Sequence, residues 1–408
     1  MKKYFILAAA AAVFAACSNS DDELQTNGQE GRMPLSIGTV TGTATMRSAS
    51  SGLQDDAIKT QIGLYILQQG ETTKQTVDYE KFNLRSSTLT ADDPASKYTL
   101  FNFSSSLYYP DNKEQGIDIY AYAPYSGSAP DDTKNISSDL LTLTTPTIQT
   151  YDDDFYAADF LWGAVGAGVG NDAKSKIEGV YTAISKTATV NAIISAKQAK
   201  DATTAQKDGY YSSGSTYTDK VVVPMIHLGS KIIIKVVPDG MGADKLKGAT
   251  VEFKANKSAT LNLTTGEVSV PTTADNINMG KLGYSDASTE IPVTDGDANG
   301  TKGVMGDGSS TVSGYTCTGV ILPQTTTASA ELIKITIGTS PNTTDYVYKP
   351  SSAITFASSK KYTFEIKVTA SGLKVTSTVA DWSDDTNSLP DDSGNSEGKG
   401  HGKAELQS

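Results

Sequence analysis

A chain of 408 residues is long enough for two domains of ordinary size, each able to bury a core of its own. Its formal net charge of −12 argues against nucleic acid or anionic lipid as a partner and suits a soluble surface. With only His227 and His401 available, no histidine-based triad or zinc centre can be assembled, and nothing in the composition calls for a cofactor.

The first residues set the compartment. Lys2 and Lys3 precede an alanine-rich apolar run over residues 4–16, too short to cross a bilayer and patterned as a secretory signal over residues 1–16. It ends in Phe14-Ala15-Ala16-Cys17, which resembles a bacterial lipobox. That resemblance implies cleavage before Cys17 and acyl chains on the new N-terminus, where each buried methylene is worth ~0.8 kcal/mol of membrane anchoring. The alternative, an ordinary cleaved signal, leaves a soluble chain. The acidic run Ser18-Asn19-Ser20-Asp21-Asp22-Glu23 resembles the tag that exports some Gram-negative lipoproteins to the outer face of the outer membrane; its plainer counterpart is a solvated linker within a polar tether over 17–34. Acylation of Cys17 leaves Cys317 without a partner, so the exported chain must hold together by packing, with Cys317 as a small buried apolar residue.

The first domain is expected over residues 35–217. It opens on a β-prone segment carrying Leu35, Ile37, Val40, Ala44 and Met46, whose alternation slips near Gly38 as at a bulge. Arg47 follows, at the head of a Ser/Gly-rich stretch open to a trypsin-like protease. Strands are predicted over 62–67, 77–84, 98–103 and 117–123. In the last, Ile117, Ile119, Ala121 and Ala123 share one face against Asp118, Tyr120 and Tyr122 on the other. Gly166, Gly168 and Gly170 superficially suggest a phosphate loop, but no P-loop Lys-Ser/Thr helix pattern is apparent after them, and residues 190–206 are the one stretch rich in helix formers.

The second domain is expected over residues 218–382. Strands are predicted over 221–226, 231–237, 249–253, 259–263 and 267–270, with a hairpin turn at Thr264-Thr265-Gly266, then a long polar loop over 275–313, and further strands over 320–322 and 332–337. The clearest strand is 362–369, where Tyr362, Phe364, Ile366 and Val368 alternate with polar residues and pair across Ser371-Gly372 with 373–379. Residues 383–408 are acidic and Gly/Ser-rich, which predicts a disordered tail without a strand pattern. Asp295, Asp297 and Asn299 match the first half of an oxygen-rich calcium loop, but Gly306 stands where the bidentate carboxylate belongs, with Asp307 beside it, and a polar turn is the better account. Tyr108, Tyr109, Tyr120, Tyr122, Tyr125, Tyr210 and Tyr211 could stack on sugars, although strand-face packing explains most of them.

Taken in order, the lipobox at Cys17, Ala121-Tyr122-Ala123-Pro124-Tyr125, Asp159-Phe160-Leu161-Trp162, Ile226-His227-Leu228, the hairpin over 261–268, Leu322-Pro323-Gln324 and the closing Asp381-Trp382 resemble the fimbrillins of type V pili in Gram-negative anaerobes. The resemblance implies an all-β chain of two transthyretin-like Greek-key β-sandwich domains in tandem, carried as a lipoprotein on the outer membrane and then built into a fimbrium that serves adhesion. It further implies an arginine-specific protease that removes the first strand, and other pilus subunits as partners that fill the resulting groove by donor-strand exchange. By position, Arg47 corresponds to the cleavage site, with Arg32 the alternative, and Leu35, Ile37, Val40, Ala44 and Met46 lie on the removed strand. A tail without a donor pattern points to an accessory or tip subunit, with a host glycan or protein as its target. The rival is a free-standing surface lipoprotein that binds glycans. No motif supports an enzyme, which would need a pair of facing carboxylates in a cleft.

Overall fold

The computed structural model describes residues 35–41, 61–69, 80–86, 99–102, 109, 116–125, 140–150, 157–183, 188, 190, 220–240, 245–282, 305–306, 313–382 and 402–407. Cys17, Arg47, Ala44, Met46 and the Asp295, Asp297 and Asn299 motif lie outside these residues, as do the signal and the tether.

The first half of the chain runs β1 (Ser36–Thr41), β2 (Gln61–Gln68), β3 (Glu80–Ser86), β4 (Thr99–Asn102), β5 (Ile117–Ala123), β6 (Leu141–Thr144), β7 (Leu161–Val165), α1 (Asn171–Ala183) and β8 (Lys220–His227). Seven of these strands close on themselves in the order β1-β4-β3-β2-β5-β7-β8. Neighbours in this barrel are antiparallel except at the closure, where β1 lies parallel to β8. The register of β1 on β8 runs from Ser36 opposite Lys220 to Thr41 opposite Met225 without a shift, so the bulge expected near Gly38 is absent. Strand β8 was expected to open the second domain; it completes the first barrel instead, and the chain passes to the second sheet at Leu228-Gly229.

The second half runs β9 (Ser230–Pro238), β10 (Thr250–Asn262), β11 (Glu267–Val268), β12 (Thr272–Lys281), β13 (Met305–Gly306), β14 (Ser313–Ile321), β15 (Gln324–Thr325), β16 (Ile333–Thr339), β17 (Asn342–Tyr348), β18 (Thr355–Phe356), β19 (Lys360–Thr369), β20 (Gly372–Asp381) and β21 (Gly402–Gln407). One layer is β12-β10-β16-β17 and the other β20-β19-β9-β14. Between them lie Val251, Phe253, Ile277, Ile333 and Ile335 from the first layer and Ile232, Ile234, Val236, Phe364, Ile366 and Val368 from the second, all buried. The chain is thus all-β, with a sandwich core that follows from the period-two alternation of β9, β10 and β19.

Strand β21 links the two layers. It pairs with β17 from Asp345 opposite Gln407 to Tyr348 opposite Ala404, and with β20 at Lys374 and Val375. The disorder expected for the tail therefore does not extend to 402–407. Within Gly402-Lys403-Ala404-Glu405-Leu406-Gln407 the small and apolar residues do alternate with polar ones, a short pattern that the Gly/Ser/Asp-rich surroundings hide.

Two further expectations change. Residues 171–183 form α1 directly after the glycine cluster, because Ala173, Ile177 and Tyr181 recur every four residues and are buried together. The residues at 191–206 lie outside those described. The polar face predicted for β5 is covered as well: Asp118, Tyr120 and Tyr122 are buried along with the rest of the strand. Tyr120 and Tyr122 share a cluster with Ile177 and Tyr181 of α1 and with Leu261 and Leu263 of the β10–β11 hairpin, which form a layer over the barrel wall.

Cys317 sits on β14 in the sandwich core, free and buried, and burial pushes its thiol from an ordinary 9.0 up to about 12. Between those values the folded chain keeps a proton that the unfolded chain loses, so this residue's contribution to stability is complete below about pH 9 and declines as pH rises towards 12. A thiol reagent at pH 8 is expected to leave Cys317 unmodified in folded protein and to label it stoichiometrically in denaturant; rapid labelling of folded protein would contradict its place in the core.

Candidate functional site

Two features stand out: a seam in the first barrel and the junction between barrel and sandwich. The seam is β1. A closed barrel has no free strand edge, so nothing can template onto it while β1 is in place. β1 contacts β8 over its whole length and β4 at Gly38 and Thr39. Its loss would leave two facing edges, with the backbone groups of residues 220–225 losing their β1 partner. Val221, Val223 and Met225 of β8 are fully buried and Leu35, at the entrance to β1, is buried, so the gap would be apolar.

Part of the segment expected to be removed lies at this seam. Ile37 and Val40 lie on β1, and Leu35 is buried immediately before it. Ala44, Met46 and the candidate cleavage residue Arg47 lie outside the described residues, as do the candidate lipidation residue Cys17 and the calcium candidates Asp295, Asp297 and Asn299. Among the described residues no group of His, Cys, Asp or Glu could hold a metal ion.

The junction assembles the sequence landmarks that had only their order to commend them. The Trp162 indole Nε1–H donates to the Leu263 carbonyl at 2.8 Å, and its ring lies against Gly266, whose φ of +65° and lack of a side chain let the hairpin turn close over it. Lys176 of α1 donates to the Gly266 carbonyl, and the burial of its ammonium lowers its pKa. Strand β6 leaves the first half of the chain to pair with β10, Leu141 opposite Leu261. Just beyond it, the buried Gln149 side chain accepts from Val320 N at 2.7 Å and donates to Val320 O at 2.9 Å, as a neighbouring strand would. Leu228 N donates to Phe160 O at 2.8 Å.

At the centre of the junction His227 Nδ1 lies 2.9 Å from Asp159 Oδ1, both residues buried, and the imidazole stacks on Trp382 with centroids 4.0 Å apart and planes at 13°. Ser359 fastens the group: its hydroxyl donates to His227 O at 2.7 Å, its N–H to Gly229 O, and its carbonyl accepts from Trp382 N at 2.9 Å. His227 is thus the hydrogen-bonded core histidine its apolar neighbours suggest. Sequence reasoning had no means of pairing it with Asp159 and Trp382, which lie 68 and 155 positions away.

Other candidate chemistry recedes. The glycine loop cannot cradle a phosphate in this conformation, because Gly166 N donates to Val190 O at 2.7 Å, Val169 N to Gly166 O, and Gly168 N to the buried carboxylate of Asp118 at 2.9 Å. Tyr109, Tyr120 and Tyr122 are buried and offer no stacking platform, and Tyr125 is partly buried. Tyr108, Tyr210 and Tyr211 lie outside the described residues.

Against known proteins, the family described as Fimbrillin-like matches residues 171–382, more than half of the chain, from the start of α1 to Trp382. No curated protein matches the sequence. A candidate cell adhesion protein from Bacteroides uniformis superposes with a TM-score of 0.48 at 17% identity, over 86% of this chain and 98% of its own. The tip fimbrial protein Mfa3 from Porphyromonas gingivalis, solved with a C-terminal truncation, gives 0.39 at 9% identity over 85% and 99%. A fimbrial protein from Bacteroides vulgatus gives 0.39 at 13% identity over 85% and 99%. On the match across residues 171–382, this chain belongs to the fimbrillin-like family.

Proposed function

We propose that this chain is a structural subunit of a cell-surface pilus that serves adhesion, joined to its neighbours by strand exchange at the β1 seam. The observation that carries the proposal is the parallel closure of the first barrel by β1: among the described residues, this one short strand separates an edge-free sheet from one with two open edges. An incoming strand of suitable pattern would restore both the hydrogen bonds and the apolar contacts that β1 gives up. In this account the lipid on Cys17 holds the subunit on the outer membrane, and an arginine-specific protease releases the first strand by cutting after Arg47.

Pilus position needs a new argument. The preference for a tip or accessory subunit rested on a tail with no strand pattern, and β21 removes that footing. On this reading β1 and β21, the first and last strands among the described residues, belong to the two halves of a relay, with β8 as the acceptor edge and residues 402–407 as the donor segment. The glycan-binding alternative draws no support from Tyr109, Tyr120 and Tyr122, which are inside the fold.

The test is cleavage in solution. The full chain carrying a site-specific protease sequence in place of residues 47–52 is expected to stay monomeric uncut and to form SDS-resistant, heat-labile ladders once cut. The same chain lacking residues 402–408 is expected to give no ladder. Cut material that remains monomeric at high concentration would overturn strand exchange; ladders from the tail-less chain would exclude β21 as the donor.

A further inference from the structure

We propose that the strap over residues 145–149, acting through the Gln149 amide, closes the β12 and β14 edges of the sandwich to foreign strands and so confines strand exchange to the β1 seam. The proposal rests on the strand-exchange function above.

A sandwich of two layers has two open sides. On one of them β21 pairs with both β17 and β20. The other is bounded by β12 and β14, the outermost long strands of the two layers, and a bare strand edge there would template onto any extended segment that met it. The strap crosses this side. Thr145 N donates to Lys257 O as the chain leaves β6, then Asn278 N donates to Thr147 O and Gln149 N to Asn278 O, each at 2.8 Å, a single parallel bridge onto β12 at Ile148. From there the Gln149 side chain reaches β14, where its bonds to the Val320 N–H and carbonyl occupy two groups that an added strand would need.

The remaining outward positions are covered in the same spirit. Pairing in the antiparallel β9–β14 ladder alternates, so Thr316 and Thr318 face the same way as Val320, while Met305 and Gly306 lie on Gly314 and Ser313 at the far end. An intruder must displace Gln149 or β13 to pair with more than Thr316 and Thr318. On β12, Asn276 N donates to Asp275 Oδ1 at 2.8 Å and Gly280 N to Asn278 Oδ1 at 2.9 Å, so side chains meet the amides on either side of Asn278.

Burial within the strap points to the amide as its working part. Ile148 is 55% exposed and Gln149 only 2%, the reverse of what apolar burial alone selects. Gly319 makes room for it: a Cβ there would lie 3.1 Å from Gln149 Oε1 and 2.7 Å from the Met279 side chain. The same device recurs at Gln324, which accepts from Asn256 N at 2.8 Å and donates to Asn256 O at 3.2 Å. That gap lies between β16 and β6 on β10, where Lys254 N and Lys257 O are already bonded to Leu332 and Thr145, so it is too short to admit a strand. Gln324 is therefore an internal control.

The test uses the cleavable full chain, left uncut, with a fluorescent peptide of residues 35–46 as the probe, a segment that pairs parallel with β8 and antiparallel with β4. Uncut wild type is expected to ignore it. Uncut Gln149→Met, which keeps the length of the side chain and loses both bonds to Val320, is expected to capture on the order of tenfold more peptide and to gain amide protection at 316–320 when it does. Gln324→Met is expected to lower the melting temperature without capture; a merely structural role for Gln149 would give that result at both positions. Gln149→Glu, which sets a carboxylate against Val320 O, carries the same comparison should Gln149→Met fail to fold. Capture by neither Gln149 variant overturns the strap's role and leaves strand exchange standing, whereas no capture by cut wild type overturns both.

Discussion

Replacing Trp162 by alanine is expected to destabilise the chain by about 3–5 kcal/mol, the usual cost of emptying a large buried aromatic site. Trp162 is fully buried, and it is the side chain around which the barrel wall, α1 and the β10–β11 hairpin meet. Its loss removes the Nε1–H donor to Leu263 O and the surface on which Gly266 rests, so the hairpin loses its seat as well as its packing. Denaturant unfolding provides the check, and the protein's only other tryptophan, Trp382, is a convenient probe because it reports from the same junction. The expected curve shows a lower midpoint for Trp382 fluorescence, with the barrel and the sandwich no longer unfolding together. A midpoint within error of wild type would mean that the junction does not couple them.

The second large effect is expected from Gly163→Val. Gly163 lies on β7 between two buried residues, and a Cβ there would overlap the backbone carbonyl of Pro224, with the Met225 side chain close behind. Backbone cannot rotate aside as a side-chain tip can, so β8 must move off β7. Overpacking ordinarily costs about 1–3 kcal/mol, and this position belongs at the upper end because the displaced element is the strand on which β1 rests. Loss of β1 protection and a depressed melting temperature are the expected readouts. Gly179→Ala is the contrasting case. Gly179 is on the exposed side of α1 with open space around it, and alanine there is expected to stabilise the chain by about 0.5–1 kcal/mol. A gain at Gly179 with a loss at Gly163 separates helix propensity from backbone approach.

Legibility followed the strength of the local pattern. Strand β19 was readable residue by residue, since Tyr362, Phe364, Ile366 and Val368 all face the core and the β19–β20 register follows from the turn at Gly372. The hairpin closing at Gly266 was equally plain. Strand β12 was hidden because only Ile277 and Met279 mark its buried face within a run of Asn, Asp and Thr, which composition assigns to a loop. Strand β17 begins on three exposed polar residues and shows its apolar character only at Tyr346, Val347 and Tyr348. Helix α1 had the right signal, Ala173, Ile177 and Tyr181, but its weak apolar face follows a glycine cluster that drew attention to itself.

The candidate site was legible in the same uneven way. The segment carrying Leu35, Ile37 and Val40 could be recognised as a first strand, because apolar residues among Ser and Thr have a local signature. That it would lie parallel to β8 and close a barrel could not, since the two strands are separated by most of the first domain. The grouping around His227 was beyond reach for the same reason: Asp159, His227 and Trp382 each look ordinary alone, and only the crossing of β7, β8 and β20 brings them together.

The account depends most on the statement that, among the described residues, it is β1 that keeps the first barrel without an edge. Hydrogen exchange at residues 220–223, the β8 amides ahead of Pro224, tests it directly in three states of one preparation: the uncut chain, the chain cut after Arg47, and the cut chain assembled into ladders. Protection that is high, then lost, then regained is the predicted sequence. Protection that stays high after β1 has left, or that fails to return in the ladder, would contradict it.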